Sequence, residues 1–272
     1  MFKKLSVAFT AVAAVFSVSS AHAYDFTQAD ELFSQREGNL AKIAEARAGY
    51  VAALGQTSGV EKVYAVDQIV RLDYYEIQIS EQKQRQMELA DSCRKTLKDQ
   101  ISPAQVGETP NFYYWNAVCL ASWAKANGPL QSLIHVNELL KYIDDGAKID
   151  PTFEGGGFAR VGSVVWSRLP NFPTPFSPKR DFDKALSLVT VALDSPAYSG
   201  ELDAATATGK FFYTAYEYKA EILENRGDRE GAIATLREAL AKIDQGQVSM
   251  GREPETKQQA VVLRQMLARL GG

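Results

Sequence analysis

The chain has 272 residues, with 30 Lys and Arg against 33 Asp and Glu, a formal charge of −3, and 46% hydrophobic residues. That mild acidic balance excludes a nucleic-acid binder, which would carry clustered excess positive charge. Beyond the N-terminal region no apolar run reaches the roughly 18 residues that signal a membrane span.

In chain order, the first segment reads as a secretory signal: Lys3 and Lys4, an apolar stretch from Leu5 to Val18, then the small-residue pattern Ala21-His22-Ala23. Residues 1–23 are therefore expected to be removed and residues 24–272 to form one exported, soluble periplasmic domain. Removing two lysines takes the formal charge to about −5. No cysteine stands at the cleavage site, so a lipoprotein anchor is not expected.

Periodicity of 3.6 residues is widespread and strand alternation scarce, which predicts an all-α chain. Helices are expected over Thr27–Leu54, closed by Gly55, and over Val60–Gln78. The stretch Glu81–Gln100 either continues the second helix or packs back as a third. Asn111–Asn127 follows, then Pro129–Ile149, stopped by Asp150-Pro151, and Phe158–Leu169. A stiff segment, LPNFPTPFSPKR, separates these from Asp181–Leu193, Thr206–Arg226, Asp228–Ile243 and Glu255–Leu270. Small residues recur seven apart, Ala185 with Ala192 and Ala232 with Ala239, around Leu188 and Leu236. Such spacing lets helices approach closely and stack, so the pattern resembles a tetratricopeptide (TPR)-like array of four or five antiparallel hairpins.

Cys93 and Cys119 lie thirteen residues on either side of Val106 in a helix connector, at similar heights if the helices are antiparallel. They are either bridged, as an exported protein permits, or two separate buried thiols. His135 is the only histidine beyond the signal, too few for a catalytic triad or a histidine-rich zinc site. Gly155-Gly156-Gly157 lacks the Gly-Lys-Ser/Thr of a phosphate loop and reads as a sharp turn, with Glu154 beside it solvated. No cofactor, metal or catalytic residue is expected.

The densest aromatic cluster runs from Phe112 to Phe176. These rings either pack the core or line a cavity for an apolar or carboxylate ligand, with Trp115, Phe158, Trp166, Phe172 and Phe176 as its aromatic wall. Arg160 and Arg168, flanking Trp166, are the candidates to hold an acidic group. A second aromatic group, Phe211, Phe212, Tyr213, Tyr216 and Tyr218, reads as packing between helices.

The ordered combination of YWNA at 114–117, WAKANG at 123–128, GGGFARVG at 155–162 and SRLP at 167–170 resembles the T component of tripartite ATP-independent periplasmic (TRAP) transporters. The likeness covers Asn111 to Tyr198, with the flanking helices matching only as general pattern. It implies a TPR-like periplasmic protein, often trimeric, with a pore or cleft in each subunit, that associates with a periplasmic substrate-binding protein and handles a small organic ligand. Members are often lipid-anchored, a feature for which this sequence offers no cysteine. Two readings follow: an accessory of a solute uptake system, or an envelope scaffold that binds a partner through its concave face.

Overall fold

In the structure, a computed structural model, residues 24–195, 212–247 and 252–272 are described. The segment read as a secretory signal and residues 206–211 of one expected helix lie outside them.

Thirteen α-helices are described: α1 (Thr27–Ser34), α2 (Leu40–Leu54), α3 (Gly59–Ile79), α4 (Lys83–Gln100), α5 (Pro103–Val106), α6 (Pro110–Asn127), α7 (Pro129–Ser132), α8 (Val136–Ile149), α9 (Phe153–Arg168), α10 (Phe182–Leu193), α11 (Thr214–Asn225), α12 (Arg229–Asp244) and α13 (Glu253–Arg269). Among the described residues there is no strand, only one isolated bridge between Thr174 and Ser177. Side-chain caps start several helices: Asn39, Asp181 and Asp228 accept from Lys42 N, Lys184 N and Gly231 N at 3.1, 2.9 and 2.8 Å.

Each long helix packs on the next, so α2–α3, α4–α6, α8–α9, α10–α11 and α12–α13 form five successive hairpins. The alanines spaced by seven, Ala185, Ala192, Ala232 and Ala239, are fully buried, as is Leu236. The stretch Glu81–Gln100 packs back as a separate helix, α4.

Two expected helices are broken. The first, Thr27–Leu54, divides at Gly38, whose φ of +63° is left-handed, and Asn39 caps a new helix. The break turns Arg36 inward to a partner far along the chain. Pro129–Ile149 divides into α7, a short 3₁₀ turn and α8, and Ser132 Oγ donates to the carbonyls of Ala124 and Gly128 at the join.

Cys93 of α4 and Cys119 of α6 are joined by a disulfide, with Cα atoms 6.3 Å apart. The bridge crosslinks the two helices of one hairpin inside a buried cluster with Val66, Leu97, Trp115 and Phe158. Closing a loop of this length stabilises the fold by about 3 kcal/mol in the chain-entropy account.

The array closes on itself. Arg36, only 1% exposed, reaches Glu255 of α13 with two N–H···O bonds to Oε1 and one of 2.5 Å to Oε2. Lys257 pairs with Glu37, and Gln258 donates to the carbonyl of Gln78. An array that would otherwise end open is thereby tied from its last helix to its first corner.

Asp73 on α3 is a buried acid in this N-terminal part. Its Oδ1 accepts two bonds from Arg47, but Oδ2 is buried with no hydrogen-bond partner among the described residues. Burial pushes its carboxyl up to about 6, against the pull of Arg47. A folded value above the unfolded 3.8 means that the native state holds the proton more tightly. The stabilisation from Asp73 is thus complete below pH 4 and lost as pH rises through 6. Urea unfolding of wild type and Asp73→Asn should show this: relative to the variant, wild type loses on the order of 2 kcal/mol between pH 4 and pH 7.

Candidate functional site

The concave side of the array encloses a cleft of about 400 Å³. Its walls come from α3, α6, α9, α11 with the residues just before it, and α13 with Arg252. None comes from α2, α4, α8, α10 or α12. Alternate helices of the stack therefore face inward, and each contributes a ladder of positions such as Tyr114, Val118, Ala121 and Lys125 on α6.

The inner end is built around the glycine run. Glu154, Gly155 and Gly156 have φ of 53, 60 and 71°, one left-handed turn at the start of α9. Glycine is required beyond the torsions: a Cβ on Gly156 would stand 2.9 Å from the Ala192 Cα, and one on Gly157 2.5 Å from the Tyr114 ring. Glu154 is the only non-glycine residue with positive φ among those described, a conformation that carries strain. It is 5% exposed, so the expectation that it is solvated is wrong. The turn points its carboxylate inward, where Arg71 and Arg252 both clasp it.

From Glu154 a buried chain of charges crosses the inner helices. Arg71 also binds Asp67 at 2.5 Å, and Asp67 Oδ1 accepts from Trp115 Nε1 at 2.6 Å and Asn111 Nδ2 at 2.9 Å. Burial alone would lower the Arg71 pKa, but the Asp67 and Glu154 carboxylates reverse this and hold it above the usual arginine value. Arg252 goes the other way: burial draws it down, Glu154 opposes, and Arg71 adds to the lowering. Arg160 donates to the carbonyls of Glu154 and Gly155 at 3.2 and 3.3 Å and to Tyr114 Oη at 2.9 Å. The guanidinium carbons of Arg160 and Arg252 lie 4.1 and 4.4 Å from the centre of the Phe212 ring. Two cations thus share one aromatic ring at the cleft wall.

Tyr74 and Tyr218 also line the cleft, and neither hydroxyl has a hydrogen-bond partner among the described residues. Burial pushes Tyr218 up to about 12, so it remains a neutral donor at physiological pH. Arg168, paired with Glu221 at 2.8 Å, and the exposed Lys125 complete the lining cations.

No protein-family model and no curated protein matches the sequence. Among solved structures, a thermophilic TPR protein of Thermus thermophilus superposes with a TM-score of 0.57, covering 90% of this chain and 98% of that one at 14% identity. The fold is a TPR-like array. Its inner helices form the concave surface that the stacking of hairpins creates.

Of the residues singled out in the sequence, the TPR-like array brings Trp115, Arg160 and Arg168 to the cleft. The other four are not among its lining residues. Phe158 is 1% exposed and packs edge-on to Tyr114 in the core, and Trp166 sits where two core clusters meet, under Lys184 Nζ at 3.7 Å. Phe172 and Phe176 are 63% and 50% exposed on the proline-rich loop. Of residues 153–176, Arg160, Val161, Val164 and Arg168 line the cleft. Conversely Phe212 and Tyr218, read as interhelical packing, line the cleft, as do Tyr74 and Arg252.

Proposed function

We propose that the protein is a TPR-type interaction scaffold whose concave cleft takes an extended acidic segment of a partner protein. The observation that carries this reading is the cleft lining: Lys125, Arg160, Arg168 and Arg252 outnumber the carboxylates Glu217 and Glu255 among aromatic rings, with two neutral phenol donors left without partners. Carboxylates suit arginine forks and hydroxyl donors, and an aromatic wall accepts the apolar stem of an acidic side chain.

The second reading keeps the same cleft for a small carboxylate, in a T component-like accessory of a TRAP-type uptake system that docks a periplasmic substrate-binding protein. It is favoured by the enclosed volume of about 400 Å³, within the range of small-ligand pockets, and by the sequence resemblance around residues 111–198. A trimeric assembly and a periplasmic location belong to this reading. Neither reading calls for catalysis.

Fluorescence anisotropy separates them. A labelled decapeptide rich in Asp and Glu should bind wild type roughly tenfold more tightly than its Asn and Gln counterpart, the scale of one lost charged contact. Val262→Trp, which fills the cleft from α13, should abolish binding. Absence of peptide binding, with saturable binding of small aliphatic carboxylates, would favour the uptake accessory.

A further inference from the structure

The proline-rich loop between α9 and α10 is preorganised and carries unpaired positive charge beside exposed rings. Its ends are tied: Arg180 N donates to the Pro170 carbonyl at 2.6 Å and Asp181 N to that of Trp166 at 3.2 Å. Within it, Thr174 and Ser177 exchange backbone hydrogen bonds of 2.9 and 3.4 Å, and their hydroxyls lie 2.9 Å apart. Ser177 is buried, which seats the loop on the body of the protein. Pro170, Pro173, Pro175 and Pro178 stiffen the backbone further. On this rigid frame Phe172 and Phe176 face solvent.

The surrounding charge selects what the rings meet. Although the whole chain is acidic, residues 155–180 contain no Asp or Glu, and Lys179 and Arg180 follow closely on the second phenylalanine. Nearby arginines end on carboxylates, as Arg168 does on Glu221 and Arg226 on Asp183. Lys179 and Arg180 have no ion-pair partner among the described residues, and Arg180 rests its guanidinium 4.7 Å over the Phe182 ring. Aromatic rings with adjacent cations that no carboxylate neutralises match the interface of an anionic bilayer, where rings enter the headgroup region and cations meet phosphates. No described helix is long and apolar enough to cross a membrane.

We propose that the loop of residues 170–180 is a membrane-docking element that seats Phe172 and Phe176 in the headgroup layer of an anionic bilayer, with Lys179 and Arg180 on its phosphates. The proposal stands independently of what the cleft binds.

Co-sedimentation of the full chain with vesicles tests it. Wild type should bind phosphatidylcholine vesicles containing about 25 mol % phosphatidylglycerol, and roughly tenfold less to phosphatidylcholine alone. Phe172→Ser with Phe176→Ser should reduce binding to the anionic vesicles at least about tenfold, because binding scales with buried apolar area. Both rings are exposed, so the thermal midpoint should not move. Lys179→Gln with Arg180→Gln should weaken binding several-fold and reduce its salt dependence. Wild type that stays in solution with anionic vesicles overturns the proposal, as does a double phenylalanine variant that binds them like wild type. Loss of a protein partner in that variant, with vesicle binding intact, would instead assign the loop to protein docking and likewise overturn it.

Discussion

Glu255→Ala should lower the free energy of unfolding by about 4 kcal/mol, the cost of stripping a buried cation of its carboxylate. Arg36 is 1% exposed and inserted between the ring of Phe33, at 4.2 Å, and that of Tyr75, at 5.5 Å. It keeps the Phe33 carbonyl at 2.9 Å in the variant but loses the bidentate acid. Urea denaturation measures the loss. Glu255→Gln, which keeps one acceptor oxygen, should lose about half as much, since a neutral hydrogen bond remains. A loss below about 1 kcal/mol for the alanine variant would mean that the pair behaves as a surface ion pair and does not close the array.

Phe158→Ala should cost a similar amount, about 4 kcal/mol, for a different reason. The ring packs edge-on to Tyr114 at 5.7 Å and lies against Gly146 so closely that a Cβ there would fall 2.2 Å from its Cε1 and Cζ. Truncation leaves a ring-sized cavity between α8 and α9 that rigid helices do not collapse to fill. Because Phe158 does not line the cleft, peptide affinity at temperatures where the variant is folded should stay within about twofold of wild type, a change near the RT scale. An intact melting curve with lost binding would reverse the assignment and return Phe158 to a ligand wall.

The helices were readable because periodicity and stop signals are local. α3, α4, α6, α10, α12 and α13 begin and end within a few residues of their expected bounds. What could not be read depends on distant partners. Arg36 looks like one more polar residue in a continuous helix, since its partner Glu255 lies 219 positions away. Glu154 looks solvated beside three glycines until the left-handed turn points it at Arg71 and Arg252. Aromatic density brought Trp115 into view, but density does not give direction. The same criterion took in Phe172 and Phe176, which are exposed on the proline-rich loop, and Trp166, which packs between clusters. Tyr74, Phe212, Tyr218 and Arg252 reach the cleft from three other parts of the chain. The α6 ladder of Tyr114, Val118, Ala121 and Lys125 is visible in the sequence, yet it reads like any buried helical face.

The most direct measurement of the concave-cleft account is amide hydrogen exchange of the full chain with and without the acidic decapeptide. The account predicts slower exchange in the peptide-bound protein over residues 74–78, 114–125, 160–168, 212–218 and 252–262, the inner walls, with α2, α8 and α12 unchanged. Protection confined to those outer helices, or no protection at saturating peptide, would contradict it.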